Sequence, residues 1–223
     1  MKNKFLNFFI IIFFYSNLTY AEVYNFEVSK IDIKNNGNII NAYDGKINSE
    51  KKNIEIFAEK FLYKKNLDLL EATNGYAFLK KENINIKFNF IKINKKNILT
   101  ASNGIQIEDL QNSINIESEK ITLDRNKNIL TASDGIEIED LQNSINIEGE
   151  KITLDRNKNI LSSNYNSTVK DKYLNTFETK KFKYNLDEET ILVNDALIHD
   201  FENNKFKIKT ALIDLKSNLI LSG

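Results

Sequence analysis

Few side chains in this sequence could support catalysis. His199 is the only histidine, and the chain has no cysteine that could act as a nucleophile. Ser49 and Lys52 have the spacing of a Ser/Lys dyad, but that spacing arises by chance in a lysine-rich chain. Because an enzyme needs titratable groups that converge on one place, the sequence predicts a protein that is not an enzyme and uses no cofactor.

Paired carboxylates are the other residues with chemical potential. Glu117 with Glu119, and Glu148 with Glu150, place two acidic groups on one face of a strand. Such pairs could bind a hard cation such as calcium, although their spacing matches no calcium-binding loop. A solvated outer face that keeps a sheet soluble explains them better, so we predict no metal site.

The elements that position these side chains come from a tandem repeat. Residues 98–128 recur 31 positions later as residues 129–159, and only the positions of Asn103, Gln106 and Ser118 differ between the copies. Fainter copies share the tetrad Ala-x-Asn/Asp-Gly, whose glycines are 30, 29 and 31 residues apart. This regularity predicts a repeat architecture in which each unit buries its apolar face against the next.

Apolar residues within each unit alternate with polar ones, which predicts half-buried β-strands and an all-β fold. The alternation keeps its parity across Asn103-Gly104, so this dipeptide is predicted to kink a long strand. The parity changes near Ser118, which indicates a bulge. Hairpin loops are expected at residues 109–113 and 124–128.

The inward-facing residues of the two clear copies are the candidate binding residues. We predict that they line the inside of a long curved sheet. They are Leu99, Ile105, Ile107, Ile114, Ile116, Ile121, Leu123, Leu130, Ile136, Ile138, Ile145, Ile147, Ile152 and Leu154. The pattern itself leaves two alternatives open: a closed core that packs only on itself, or a groove that takes acyl chains along an open side.

Residues 1–21 have the features of a cleaved signal peptide. Lys2 and Lys4 precede an apolar run at residues 5–15, and Thr19-Tyr20-Ala21 supplies small residues before the cleavage point. The run is shorter than the roughly 20 residues that span a bilayer, and a retained anchor is the alternative. The mature chain, residues 22–223, is predicted to be a single domain because no linker interrupts it.

Charge and composition restrict the partners. Removing Lys2 and Lys4 from the 31 basic residues leaves 29 against 31 acidic ones, so the mature chain has no basic surface of the kind that nucleic acid requires. Arg125 and Arg156 are the only arginines and share one repeat position, so forks that bind phosphate are scarce. Without cysteines, an exported chain has no disulfides and depends on strand pairing and apolar packing.

The phrase (Ile/Phe)-x-(Leu/Tyr), followed by Leu-x-Ala-x-(Asn/Asp)-Gly, repeats along the chain. It occurs at residues 58–78 and 119–138, and in weaker form at 180–198 and 204–221. An export signal followed by this repeating phrase resembles the OstA-like family. That family includes the lipopolysaccharide-transport protein LptA and the N-terminal domain of the lipopolysaccharide-assembly protein LptD.

The resemblance implies an elongated antiparallel β-jellyroll, open like a taco. It also implies that the inward-facing residues of the two clear copies form a lipid-binding groove that holds the acyl chains of lipid A. It further implies a periplasmic protein associated with the outer membrane. Such a protein would dock head to tail, by its edge strands, with other lipopolysaccharide-transport proteins or with its own copies. An LptA-like bridge and an N-terminal piece of LptD both fit. The alternatives from other classes are a structural β-solenoid of the cell surface with no ligand and, more weakly, a carbohydrate-active β-helix enzyme.

Overall fold

A computed structural model describes residues 24–202 and 204–222. Those residues form 16 strands, all paired antiparallel in one sheet, with a single 3-10 turn at Lys65–Leu67 and no α-helix. The predicted all-β class is therefore confirmed. The predicted signal peptide, residues 1–21, lies outside the described residues. No helix in the described part of the chain has the length and apolar character to cross a membrane.

The strands follow one another along the chain with short turns. Their bounds are β1 Asn25–Lys34, β2 Ile39–Ser49, β3 Ile54–Lys64, β4 Leu69–Leu79, β5 Ile84–Ile93, β6 Ile98–Asp109, β7 Ile114–Asp124, β8 Ile129–Asp140, β9 Ile145–Asp155, β10 Ile160–Ser163, β11 Ser167–Lys170, β12 Thr176–Thr179, β13 Lys181–Asn185, β14 Thr190–His199, β15 Lys205–Asp214 and β16 Leu219–Ser222. The turns at 110–113 and 125–128 confirm the two predicted hairpin loops.

The topology is an up-and-down meander. Strands β1 to β10 each pair with their neighbours in the sequence. Strand β9 pairs with both β10 and β11, and β14 pairs with both β12 and β13. Strands β10 and β11 are therefore two halves of one interrupted strand, and β12 and β13 are two halves of the next.

The long strands bend near their midpoints. Strands β6 and β8 run without a break through the repeated tetrad, where Asn103 and Asp134 have φ values of 69° and 68°. The register of β7 against β6 shifts at the same level, and the Ser118 hydroxyl donates to the Ser133 carbonyl oxygen at 2.8 Å. The predicted strand kink is confirmed. The bulge lies at the predicted level but on the neighbouring strand, because Asn103 and Gly104 of β6 stand against the single residue Glu119 of β7.

Because of these bends, the sheet folds back on itself. A straight strand of 11 residues is about 35 Å long, and Glu82 and Arg125 lie in turns at opposite ends of the strands. Nevertheless the Arg125 Nε is 2.8 Å from the Glu82 Oε1. Each long strand therefore contributes one half to each of two facing walls, and alternate residues of both walls point into the space between them.

Two rows of hairpin turns meet along the side opposite the bend. We call one row the carboxylate rim; it comprises residues 49–53, 79–83, 109–113 and 140–144. We call the other row the arginine rim; it comprises residues 64–68, 94–97, 124–128, 155–159 and 184–189. Backbone hydrogen bonds join successive turns within a rim, as from Leu110 N to Asn83 O at 3.1 Å and from Arg156 N to Asn128 O at 3.1 Å. The line along which the two rims touch is the seam.

The core lies between the walls and runs the length of the sheet. It is one cluster of buried side chains that extends from Tyr24 to Leu215. On β6 and β8, buried residues alternate with outward residues that are mostly charged or polar. Because the sheet is folded on itself, a single sheet provides both layers that a buried core needs.

Candidate functional site

All the residues predicted to line the groove lie together in this core. None of them is more than 3% exposed. They form ladders across the strands: Leu99 pairs with Leu123 and Ile107 with Ile116, and the second copy repeats these pairings. The sequence pattern thus located the interior correctly. In this structure the interior residues pack against one another, so the space between the walls is closed to water.

The chemistry of the interior changes along the sheet. Residues 98–159 contain no aromatic residue. Between the two rims, the buried side chains of this duplicated segment are isoleucine, leucine and alanine, with Ser118 at the bend as the exception. Aromatic side chains are buried on either side of it, with Phe61 and Phe88 before the segment and Phe177 and Phe182 after it. The middle of the core is therefore an aliphatic zone, and the parts of the core on either side of it also contain aromatic side chains.

Arg156 closes the seam next to this aliphatic zone. Its Nε and Nη2 donate to the two carboxylate oxygens of Asp109 at 2.7 and 2.9 Å. Its Nη2 also donates to the Glu82 carbonyl oxygen at 2.6 Å, and its Nη1 donates to the Asn128 side chain at 2.8 Å. The side chains of the ion pair are at most 1% exposed. This two-point geometry is the strongest form of an arginine–carboxylate contact.

Arg125 repeats the contact one unit earlier. Its Nε and Nη2 donate to the Glu82 carboxylate at 2.8 and 2.9 Å, and Nη2 also donates to the Lys52 carbonyl oxygen at 2.7 Å. The Arg125 side chain is 2% exposed. Unlike Arg156, Arg125 keeps its Nη1 buried without a hydrogen-bond acceptor among the described residues. Arg125 thus has one donor nitrogen, Nη1, that no acceptor in the described residues satisfies.

Two further polar contacts continue the seam on either side. Lys52 Nζ lies 2.9 Å from the Asp68 carboxylate before the arginines. After them, the Tyr184 hydroxyl donates to the Asp140 carboxylate at 2.5 Å and accepts from the Asn143 side chain at 2.9 Å. Burial, followed by the hydrogen bond to Asp140, raises the pKa of the Tyr184 hydroxyl far above its ordinary value. Side chains therefore join the rims at successive levels along the seam.

Sequence reasoning found the two arginines but not their role. The shared repeat position of Arg125 and Arg156 predicts only that forks that bind phosphate are scarce. The available signal was the choice of arginine in a chain whose other basic residues are all lysine. Arginine replaces lysine where a buried two-point contact to a carboxylate or a phosphate is needed, which was reason to expect acidic partners for both.

The predicted acidic pairs lie on the outer surface. Glu117 and Glu119 are exposed, and each is used locally: Glu117 accepts from the Gln106 side chain at 3.1 Å and Glu119 accepts from the Gly104 amide at 3.1 Å. Within residues 24–202 and 204–222, no group of three or more His, Cys, Asp or Glu residues is placed to hold a metal ion. His199, at the end of β14, has its Nε2 3.4 Å from Glu178.

No protein-family model matches the chain, and no curated protein matches it. The resemblance to the OstA-like family therefore stays a prediction from its short repeated phrase. Three features of the structure bear on function: the aliphatic interior, the polar seam that closes it and the two outermost strands of the sheet.

Proposed function

We propose that this protein is a periplasmic module that binds lipopolysaccharide and passes it toward the outer membrane. The acyl chains of lipid A would lie between the two walls, in an apolar groove that forms when the walls separate, as in a β-jellyroll of the OstA-like family. The observation that carries the proposal is the single apolar interior that runs the length of the folded sheet.

The aliphatic zone suits saturated acyl chains. Side chains such as Ile105, Ile116 and Ile136 offer flat aliphatic contact without polar groups. Burial of apolar surface contributes on the order of 25 cal/mol per Å², or about 0.8 kcal/mol per methylene, so several acyl chains would supply ample binding energy. Part of that energy would offset the loss of contacts between the walls when they separate.

The seam is the natural entrance for the chains. Along the bend the walls are joined by the continuous backbone of the long strands, whereas along the seam they are joined by side chains such as Arg125 and Arg156. Opening at the bend would break the sheet, but opening at the seam would break only side-chain contacts. Sugars and phosphates would then remain outside, at the rims, in contact with water.

The two ends of the sheet suit docking to neighbouring proteins. Within the described residues, strand β1 pairs only with β2, and β16 pairs only with β15. Apolar residues are exposed on both edge strands, with Ile33 of β1 at 58% and Leu221 of β16 at 57%. Unpaired edge strands with exposed apolar side chains can pair with a strand of another chain. Other lipopolysaccharide-transport proteins or further copies of the chain would therefore stack head to tail on them.

A second candidate function is that of a structural β-solenoid with a closed core and no ligand. The observation that favours it is the complete burial of the interior, in which residues such as Leu99 and Ile121 are 0% exposed. A repeat protein of this kind needs no separation of its walls, and its free edges would serve assembly at the cell surface.

Photo-crosslinking separates the two candidates. A photoreactive residue at Ile105 or Ile136, both buried, is expected to trap lipopolysaccharide, whereas the same residue at the adjacent exposed positions Gln106 and Glu137 is not. Mass spectrometry of an organic extract of the purified protein should identify acyl chains of the lipid A type. Equal labelling at inner and outer positions, or an extract without lipid, would favour the structural solenoid.

A further inference from the structure

We propose that Arg125 and Arg156 form an exchangeable anion site at the seam, where a phosphate group of the bound amphiphile replaces Glu82 and Asp109 as the partner of the guanidinium groups. This inference rests on the proposed function, because it concerns the headgroup of the lipid whose acyl chains would enter the interior. The ligand of this site is a phosphorylated amphiphile.

The seam does not need arginine in order to close. At the equivalent rim position of the next repeat stands Leu186, whose amide donates to Asn159 O at 2.9 Å, as the Arg156 amide donates to Asn128 O. Leu186 packs against the apolar core. Because a buried ion pair is often no more stable than a well-packed apolar replacement, stability alone does not account for the arginines. An exchangeable partner does.

The guanidinium groups are suited to phosphate. Both arginines present their Nε and Nη2 donors side by side to two carboxylate oxygens, and this fork fits two oxygens of a phosphate equally well. Arg125 also has a buried Nη1 that no acceptor of the described chain reaches. A phosphate offers more acceptor oxygens than the Glu82 carboxylate and could use this donor, which would favour the exchange.

The position of the site matches the shape of an amphiphile. Arg125 follows Leu123 by two residues, and Arg156 follows Leu154 by two residues, and both leucines are fully buried in the aliphatic zone. A phosphate held at the rim would therefore place the attached acyl chains directly at that zone. The released carboxylates would face water along the opened rim, where their charge is solvated at little cost.

The test compares two amphiphiles that share an acyl chain. Dodecyl phosphate and dodecyl maltoside, each below its micellar concentration, are titrated into the purified protein by calorimetry. The variants are Arg125→Met with Glu82→Gln, and Arg156→Met with Asp109→Asn. Each removes both charges of one pair, so that no unpaired charge stays buried. The Asp109→Asn change also keeps a side-chain oxygen that can accept from the Gln111 and Asn112 amides, which Asp109 now binds.

Lys127→Met and Lys158→Met are the matched controls. Each removes one cation from the same turn as an arginine, but these lysines are exposed and pair with Asp124 and Asp155 on the surface. Thermal unfolding followed by circular dichroism verifies that every variant is folded before the binding data are used.

The expected result is that the wild-type protein prefers dodecyl phosphate. Each double variant should bind it roughly tenfold more weakly, the loss that charge-assisted hydrogen bonds would give, while it binds dodecyl maltoside at least as tightly as the wild type. The controls should keep the wild-type preference. Double variants that retain the preference would overturn the anion site and leave the proposed function standing. A wild-type protein that binds neither amphiphile would overturn the proposed function itself.

Discussion

The duplicated centre of the chain and its C-terminal repeats close the same seam with different side chains. In the centre, Arg156 reaches across to Asp109 and forms a buried ion pair. One repeat later the backbone makes the same hydrogen bond between turns, but Leu186 replaces the arginine and packs on the core. The backbone hydrogen bond is the same with arginine or leucine at this position. The two regions therefore differ only in the contacts that these side chains make between the rims.

An apolar closure and an ionic closure behave differently when the rims separate. Apolar contacts have no preferred direction and no alternative partner except another apolar surface. A guanidinium group that leaves its carboxylate must be solvated or must take another anion, because an unpaired buried charge is strongly unfavourable. The arginines therefore make the aliphatic part of the seam sensitive to anions, while the C-terminal part is closed by packing and by the Tyr184–Asp140 hydrogen bond.

Removing one charge of a buried pair should have the strongest effect on the seam. Glu82→Ala takes away the carboxylate and leaves the buried Arg125 guanidinium with the Lys52 carbonyl oxygen as its remaining acceptor in the described chain. We expect the free energy of unfolding in urea to fall by about 3–5 kcal/mol.

Two controls decide the cause of that loss. Glu82→Leu combined with Arg125→Met should recover most of it, because neither charge then remains in the seam. Lys127→Ala, which removes an exposed cation from the same turn, should change stability by less than about 0.5 kcal/mol. A double variant as unstable as Glu82→Ala would contradict the ionic account of the seam.

Much of the fold could be predicted from the sequence because its signals are local. The period of two indicated the strands, the unbroken parity across Asn103-Gly104 indicated the kink, and the phase change near Ser118 indicated the level of the bulge, all within one repeat. The inward residues follow from the same alternation, so the composition of the interior was predictable too. Every one of these inferences depends on neighbours in the sequence.

The seam could not be predicted in the same way because its contacts are remote. Arg125 and Glu82 are 43 residues apart, and Arg156 and Asp109 are 47 residues apart. Their contact follows from how far the sheet bends at each kink, and no local pattern encodes that angle. The two lone arginines indicated that acidic partners exist, but the chain has 31 acidic residues and the sequence does not single out two of them.

A change of intermediate size removes the hydroxyl that closes the C-terminal part of the seam. Tyr184→Phe takes one hydrogen bond from Asp140, which keeps those from the amides of Gln142 and Asn143. We expect a loss of about 1 kcal/mol in unfolding free energy at neutral pH.

The pH dependence gives this variant a second signature. The pKa of Tyr184 is raised in the folded protein, chiefly by burial, so the neutral hydroxyl contributes stability that is complete below the ordinary tyrosine pKa of about 10. That stability is lost as the pH rises above this value, because the unfolded chain then releases the proton first. The stability of Tyr184→Phe should therefore fall less steeply with alkaline pH in urea titrations. Buried Tyr24, whose pKa is also raised, should preserve part of the slope. An unchanged slope would mean that Tyr184 ionises without unfolding.

Introducing an ionic contact at the position of Leu186 should change the stability of the protein least. Leu186→Arg places a guanidinium group on the arginine rim one repeat after Arg156, and Asp140 lies on the carboxylate rim one repeat after Asp109. If the ionic seam is a property of the repeat geometry, the new guanidinium group will pair with Asp140, and stability will change by less than about 1 kcal/mol.

A double-mutant cycle with Asp140→Asn, which keeps the turn acceptor, measures the pairing directly, and we expect a coupling energy of roughly 1 kcal/mol or more. No coupling would show that a carboxylate on the opposite rim is not sufficient, and that the duplicated repeats hold their rims at a spacing that the C-terminal repeats do not share.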